Sequence, residues 1–128
     1  MRILLAEDEP DIQLITRMAL EDAGHEVVVV GDGDAAIAYA LGAYFDVILL
    51  DVMMPYLDGF ATCTALKVYP HTATIPIIFL TAKSQEFEIQ RGRALGAIGY
   101  IVKPFDVFSL SNDIDRILAE EGRAWDRS

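Results

Sequence analysis

The sequence predicts an α/β protein built on one open, doubly wound parallel sheet, and two observations predict it. Five short apolar runs recur along the 128 residues, separated by segments with helical spacing. The runs are nearly continuous rather than alternating, which is the pattern of strands covered on both faces. Strict alternation of strand and helix then implies right-handed crossovers around the sheet.

The runs are residues 3–6, 27–30, 47–50, 75–80 and 98–102. In the first helical segment Ile12, Ile15 and Ala19 share one face, and Gly24 is a good stop. Asp34 can cap a second helix that carries Ile37, Ala40 and Leu41 inward. The run Gly31-Asp32-Gly33-Asp34 is glycine-rich, but its acids would repel phosphate, so it reads as turn and cap. Phe60, Cys63 and Leu66 make a third stripe that ends near Pro70. Residues 85–95 form a fourth, weaker helix with Gly92 inside it and a thin stripe of Phe87, Ala94 and Leu95. An internal glycine costs about 0.5–1 kcal/mol relative to alanine, which marks this helix as the soft one. Val107, Leu110, Ile114, Ile117 and Leu118 define the fifth.

The length suits one domain, here residues 1–121 with a charged tail at 122–128. Apolar residues make up 53% of the chain, enough for a sizeable core. A formal charge of -10 argues against a nucleic-acid surface, which needs Lys and Arg. Cys63 is the single cysteine, so no internal disulfide forms, and a cytoplasmic location is expected. The apolar start is too short for a signal peptide or a membrane span. Cys63 itself lies on an inward stripe and reads as core. His25 and His71 have no Cys or His partners in sequence and do not read as metal ligands.

In an open α/β sheet, ligands bind beyond the C-terminal ends of the strands. Glu7, Asp8 and Glu9 follow the first run there, Asp51 the third, Thr81 the fourth, and Lys103 and Pro104 the fifth. Crowded carboxylates repel one another, and a hard divalent cation offsets that repulsion. A lysine supplies a mobile charge for a carboxylate or a phosphoryl oxygen, and a threonine hydroxyl can turn toward an oxyanion. Together these groups suit phosphoryl transfer to a carboxylate.

The blocks Leu5-Ala6-Glu7-Asp8-Glu9, Leu50-Asp51-Val52-Met53-Met54-Pro55, Asp58-Gly59, Leu80-Thr81-Ala82-Lys83 and Val102-Lys103-Pro104-Phe105 resemble the signature blocks of bacterial two-component response-regulator receivers. The resemblance runs from Arg2 to about Glu121. It implies a flavodoxin-like strand order 2-1-3-4-5 with five helices. It implies that Asp51 is the phosphoacceptor, and that Asp8, Asp51 and the backbone carbonyl of Met53 hold Mg²⁺, with Mn²⁺ able to substitute. Glu7 acts on the metal through water, and Lys103 bridges to the phosphoryl group. The Lys103–Pro104 bond is expected to be cis. Thr81 moves to the phosphoryl oxygen and Tyr100 swings inward behind it. Met53 and Lys83 flank the site and can tune how fast water attacks the acyl phosphate.

The implied partners are a sensor histidine kinase or phosphotransfer protein and an effector the sequence does not name. The surface that changes is the fourth helix with the fifth strand and helix. Neither nucleic acid nor membrane is an expected partner. Gly99 and Asn112 stand where members that dimerise through the fifth strand and helix tend to carry charge, so a monomer or weak dimer is expected. A stand-alone or excised receiver is the expected setting.

Rival chemistries fit less well. A dehalogenase-type phosphatase needs a second Asp two residues after Asp51, where Met53 stands. A dinucleotide or FMN site would meet Glu7-Asp8-Glu9-Pro10, which repels phosphate. The remaining alternative is a receiver-like interaction module that acts without phosphorylation, and the complete acid–lysine set counts against it.

Overall fold

The structure is a computed structural model that describes residues 1–82 and 86–120. Strands β1 (Arg2–Ala6), β2 (Glu26–Val30), β3 (Val47–Asp51), β4 (Ile77–Thr81) and β5 (Gly99–Val102) form one sheet in the order β2-β1-β3-β4-β5. Every pairing is parallel. Every residue of β3 and β4 is buried, which explains their unbroken apolar runs.

Successive side chains of a strand point to opposite faces, so each strand feeds two cores. Leu4, Ile48, Leu50, Ile77 and Phe79 pack on one face with Ala36, Phe60 and Leu66. Ile3, Leu5, Leu49, Ile78 and Leu80 pack on the other with Leu20, Leu110, Ile114 and Ile117. The helices that cover these faces are α1 (Pro10–Asp22), α2 (Gly33–Gly42), α3 (Gly59–Val68), α4 (Pro70–Ala73), α5 (Glu86–Ala94) and α6 (Leu110–Glu120). No helix among the described residues is long and apolar enough to cross a membrane.

Five of the helices match the expected ones; α4 is additional. Pro70 does not merely end the third helix. It occupies the first turn of a one-turn helix, where its missing N–H costs nothing. The Thr72 hydroxyl, buried, donates to the Leu66 carbonyl and ties that turn to α3.

The inward faces of three helices differ from the expected ones. On α1, Thr16 and Leu20 are buried while Ile15 is 51% exposed. The covered stripe steps by four residues from Ile12, and Ile15 lies beyond its edge. On α2 the cap is Asp32, not Asp34: its carboxylate accepts from the Ala35 amide at 2.8 Å. The helix therefore starts earlier, Ala36 and Ala40 face inward, and Leu41 is 39% exposed. On α5 only part of the expected stripe is covered. Leu95 packs on the core, but Phe87 is 65% exposed and Ala94 is exposed, while Gly92 is buried and Ile89 packs on the core. The inner face mixes Ile89 with Glu88 and Gly92, so hydropathy is a poor guide to it. The α5 helix is tied to α3 by the Arg91 guanidinium, which lies 4.5 Å from the Phe60 ring centre.

On α6 the covered stripe is the expected one, with Leu110, Ile114 and Ile117 buried. Gly24, at φ 94, follows α1. The Cys63 thiol is buried and donates to the Leu95 carbonyl at 3.6 Å, and burial pushes its pKa up to about 11. At that value it stays protonated and unreactive. The start of the fourth helix at residue 85 and the tail at 122–128 lie outside the described residues.

The re-oriented α1 face makes a direct prediction. Leu20→Ala should cost about 2–5 kcal/mol in urea unfolding, as for a fully buried leucine. Ile15→Ala, by contrast, should change stability by no more than about 0.5 kcal/mol.

Candidate functional site

The strand order decides which loops meet. The ends of β1 and β3 lie side by side, with Ala6 paired to Leu50, and Thr81 of β4 is paired to Val102 of β5. The residues after each strand are held by further sheet-like bonds. The Glu7 amide donates to Val30 at 3.0 Å, Val52 to Leu80 at 2.9 Å and Lys103 to Thr81 at 2.7 Å. These bonds carry the acids and the lysine to one edge of the sheet.

There the carboxylates of Glu7, Asp8 and Asp51 each place an oxygen within 4.8 Å of the others. Glu7 is fully buried, Asp51 nearly so, and Asp8 is exposed at the rim. The Lys103 ammonium donates to Glu7 Oε1 at 2.6 Å and to Asp51 Oδ2 at 3.0 Å. The peptide between Lys103 and Pro104 is cis. The second oxygen of Glu7 accepts from the Glu9 amide at 3.2 Å, and Asp51 Oδ1 accepts from the Met53 amide at 3.1 Å.

Burial pushes the Glu7 carboxyl up from the usual range, against the pull of Lys103. Burial works to lower the Lys103 ammonium, but its hydrogen bonds to Glu7 and Asp51 outweigh this and hold it above its ordinary value. Lys103 therefore stays charged.

This arrangement leaves a specific vacancy in charge. Lys103 offsets part of the charge of a three-acid cluster whose donors are all hard oxygens. Glu7 and Asp51 each have both oxygens engaged, and Asp8 is the exposed member of the cluster. That donor set fits Mg²⁺, which takes one or two carboxylates and keeps several waters.

The position of Asp51 is set by Gly59. A Cβ there would stand 2.3 Å from the Asp51 carbonyl oxygen and 2.9 Å from Val52 Cα. Without one, the start of α3 closes onto the end of β3, and the Gly59 amide donates to Val52 at 3.0 Å. The Asp58 side chain caps the same helix through the Ala61 amide at 2.8 Å. The Asp58-Gly59 block thus has a packing reason. Between these points Tyr56 sits at φ 67, in a tight turn closed by Leu57 N–H to the Pro55 carbonyl at 2.8 Å. Its side chain is 98% exposed. The sequence reading missed this strain, because Pro55 signals a turn but not its type.

Thr81 and Tyr100 line one small cavity behind Asp51 and Val52, with Ile89 and Gly92 of α5. Glu88, also unforeseen, lines it too, and its Oε2 is buried without a hydrogen-bond partner among the described residues. A carboxylate beside Ile89 on a helix with a weak stripe was the signal available. The two histidines lie elsewhere: His25 bonds the N-terminal amine and Ser111, and His71 the Ala43 carbonyl. Lys83 lies outside the described residues.

The family described as response regulator receiver domain matches residues 3–115. The chain belongs to the response-regulator receiver family. It is 40% identical over 118 residues to the transcriptional regulatory protein RprY of Bacteroides fragilis, covering 92% of this chain and 49% of that protein. The chain thus spans about half the length of the curated relatives it matches. Among solved structures it resembles the chemotaxis protein CheY4 of Vibrio cholerae, with TM-score 0.87 and 36% identity over 91% of this chain and 97% of that one. The receiver domain of sensor histidine kinase PA1611 from Pseudomonas aeruginosa is 30% identical with TM-score 0.84, over 92% of this receiver and 97% of that chain. That structure holds a magnesium ion in its active-site cleft. The receiver is therefore a signalling domain of the two-component type, consistent with phosphorylation-dependent signalling.

The loop after β3 yields a paired prediction. Gly59→Ala should lower stability by about 1–3 kcal/mol, since backbone must move to admit the methyl group. Tyr56→Gly should raise it by about 1 kcal/mol by removing positive-φ strain. Urea midpoints of the two variants check both signs.

Proposed function

We propose that this receiver is a switch that accepts a phosphoryl group on Asp51 from a phosphohistidine of a sensor kinase or phosphotransfer protein, or from a small phosphodonor. The observation that carries the reading is the Lys103 ammonium held between Asp51 and Glu7, with Asp8 open beside them. A carboxylate oxygen of Asp51 attacks phosphorus, the bond from phosphorus to the donor nitrogen or oxygen breaks, and its electron pair leaves with the donor. Lys103 shifts from the carboxylate to a phosphoryl oxygen as charge accumulates there.

Asp8, Asp51 and the Met53 carbonyl are the ligands for Mg²⁺, with Glu7 acting through water. The ion, or Mn²⁺ in its place, neutralises charge on the phosphoryl oxygens. The aspartyl phosphate replaces one negative charge by nearly two and adds strong acceptors. Thr81 turns to one of them, Tyr100 moves into the cavity behind it, and the face of α5, β5 and α6 changes for a downstream partner. Exposed Ile15, which lines an apolar groove with Ile12, Pro104, Phe105 and Val107 beside Lys103, supports a protein donor that docks on the rim of the site. The chemistry is self-directed: transfer to its own Asp51 and later hydrolysis.

Incubation with acetyl phosphate and Mg²⁺, read by intact mass, tests the proposal. One phosphoryl-sized gain is expected, lost in Asp51→Asn and with EDTA. Absence of any gain from acetyl phosphate and from a phosphorylated kinase alike would leave a receiver fold used only for binding.

A further inference from the structure

The cavity behind Thr81 contains a group that the phosphoacceptor chemistry does not use. Glu88 reaches it from α5, and its Oε2 is buried without a hydrogen-bond partner among the described residues. A buried acceptor with no donor carries the full cost of its lost hydration. Such an orphan calls for an account, since buried polar atoms are almost always paired. The other α5 residues on this wall are Ile89 and Gly92, which offer no side-chain donor.

Two residues that carry hydroxyl groups line the cavity, Thr81 and Tyr100. They do not stay equivalent when the site is loaded. Thr81 ends β4 next to the phosphoacceptor edge, whereas Tyr100 lies on β5 opposite Phe79, two residues deeper in the sheet. As Thr81 turns toward the phosphoryl group, Tyr100 is the other hydroxyl-bearing residue on the cavity wall. Gly92 follows Glu88 by one turn on the same face of α5 and lines the same cavity.

We propose that Glu88 is a positioning residue for the switch: its Oε2 accepts the Tyr100 hydroxyl when that ring moves inward, and so stabilises the phosphorylated conformation. The inference rests on the phosphoacceptor reading above and adds the partner that captures Tyr100. Glu88 lies outside the Glu7, Asp8 and Asp51 cluster among the described residues, so on this reading it acts on the equilibrium between two conformations. Anything that stabilises the inward conformation must raise affinity for the phosphoryl group by the same factor.

The experiment measures beryllofluoride binding in the presence of Mg²⁺ by ¹⁹F NMR, for wild type, Glu88→Leu, Tyr100→Phe, the double variant and Glu88→Gln. Glu88→Leu and Tyr100→Phe should each weaken binding by on the order of fivefold, a typical coupling between linked sites. The double variant should be no weaker than either single one, because both remove the same bond. Glu88→Gln keeps an acceptor and should stay near wild type, which separates the bond from mere packing. Affinity for Mg²⁺ alone should be unchanged throughout. Independent, multiplicative effects in the double variant, or a Glu88→Leu protein that binds as wild type does, would overturn the proposal. Failure of the wild type itself to bind beryllofluoride would overturn the phosphoacceptor reading, and this inference with it.

Discussion

Three carboxylates at one sheet edge repel one another, and in this chain the ammonium of Lys103 makes the arrangement tolerable. It donates to the two most buried of the three acids and leaves Asp8 at the rim. Burial alone would lower the pKa of Lys103; its two carboxylate partners outweigh that and hold it above its ordinary value. The rest of the site follows from this contact. Lys103 offsets only part of the charge of the Glu7, Asp8 and Asp51 cluster, which could hold a metal ion. The same lysine is then at hand when charge grows on an incoming phosphoryl group.

The fold exists, in this sense, to bring residue 103 to residues 7 and 51. Parallel pairing places the ends of β1, β3, β4 and β5 on one edge, and the doubly covered sheet keeps that edge rigid. The close approach of Gly59 to the Asp51 carbonyl fixes the loop after β3 from the far side. Rigid support on β1 and β3 contrasts with the wall formed by α5. That helix presents Glu88, Ile89 and Gly92 inward and holds to α3 partly through Arg91 over Phe60. A site backed by such a wall can transmit a local change in charge to the surface outside it.

Much of this was legible in the sequence because strands buried on two faces write themselves as unbroken apolar runs. All five appear within two residues of their bounds, and the residues after them are the ones that converge. Helix faces were less legible. Thr16 is buried and Ile15 is not, because one residue step on a helix turns the face by about 100° and hydropathy alone cannot fix the phase. Asp32 and Asp34 both suit a cap, and only the register of Ala36 and Ala40 on the core decides between them. The inner face of α5 mixes Ile89 with Glu88 and Gly92, so Phe87 drew attention to the wrong side and Glu88 drew none. The γ-like turn at Tyr56 left no residue signal, since a tyrosine is an unusual choice for positive φ.

The central claim is that loading Asp51 changes the wall that Thr81, Tyr100 and α5 share. Backbone amide NMR of the chain with Mg²⁺, before and after beryllofluoride is added, tests it most directly. The account predicts a continuous trail of shifted amides from Asp51 through Thr81 and Tyr100 into α5 and the adjoining face of α6. Shifts confined to the loops after β1 and β3, with Tyr100 and α5 unmoved, would contradict it.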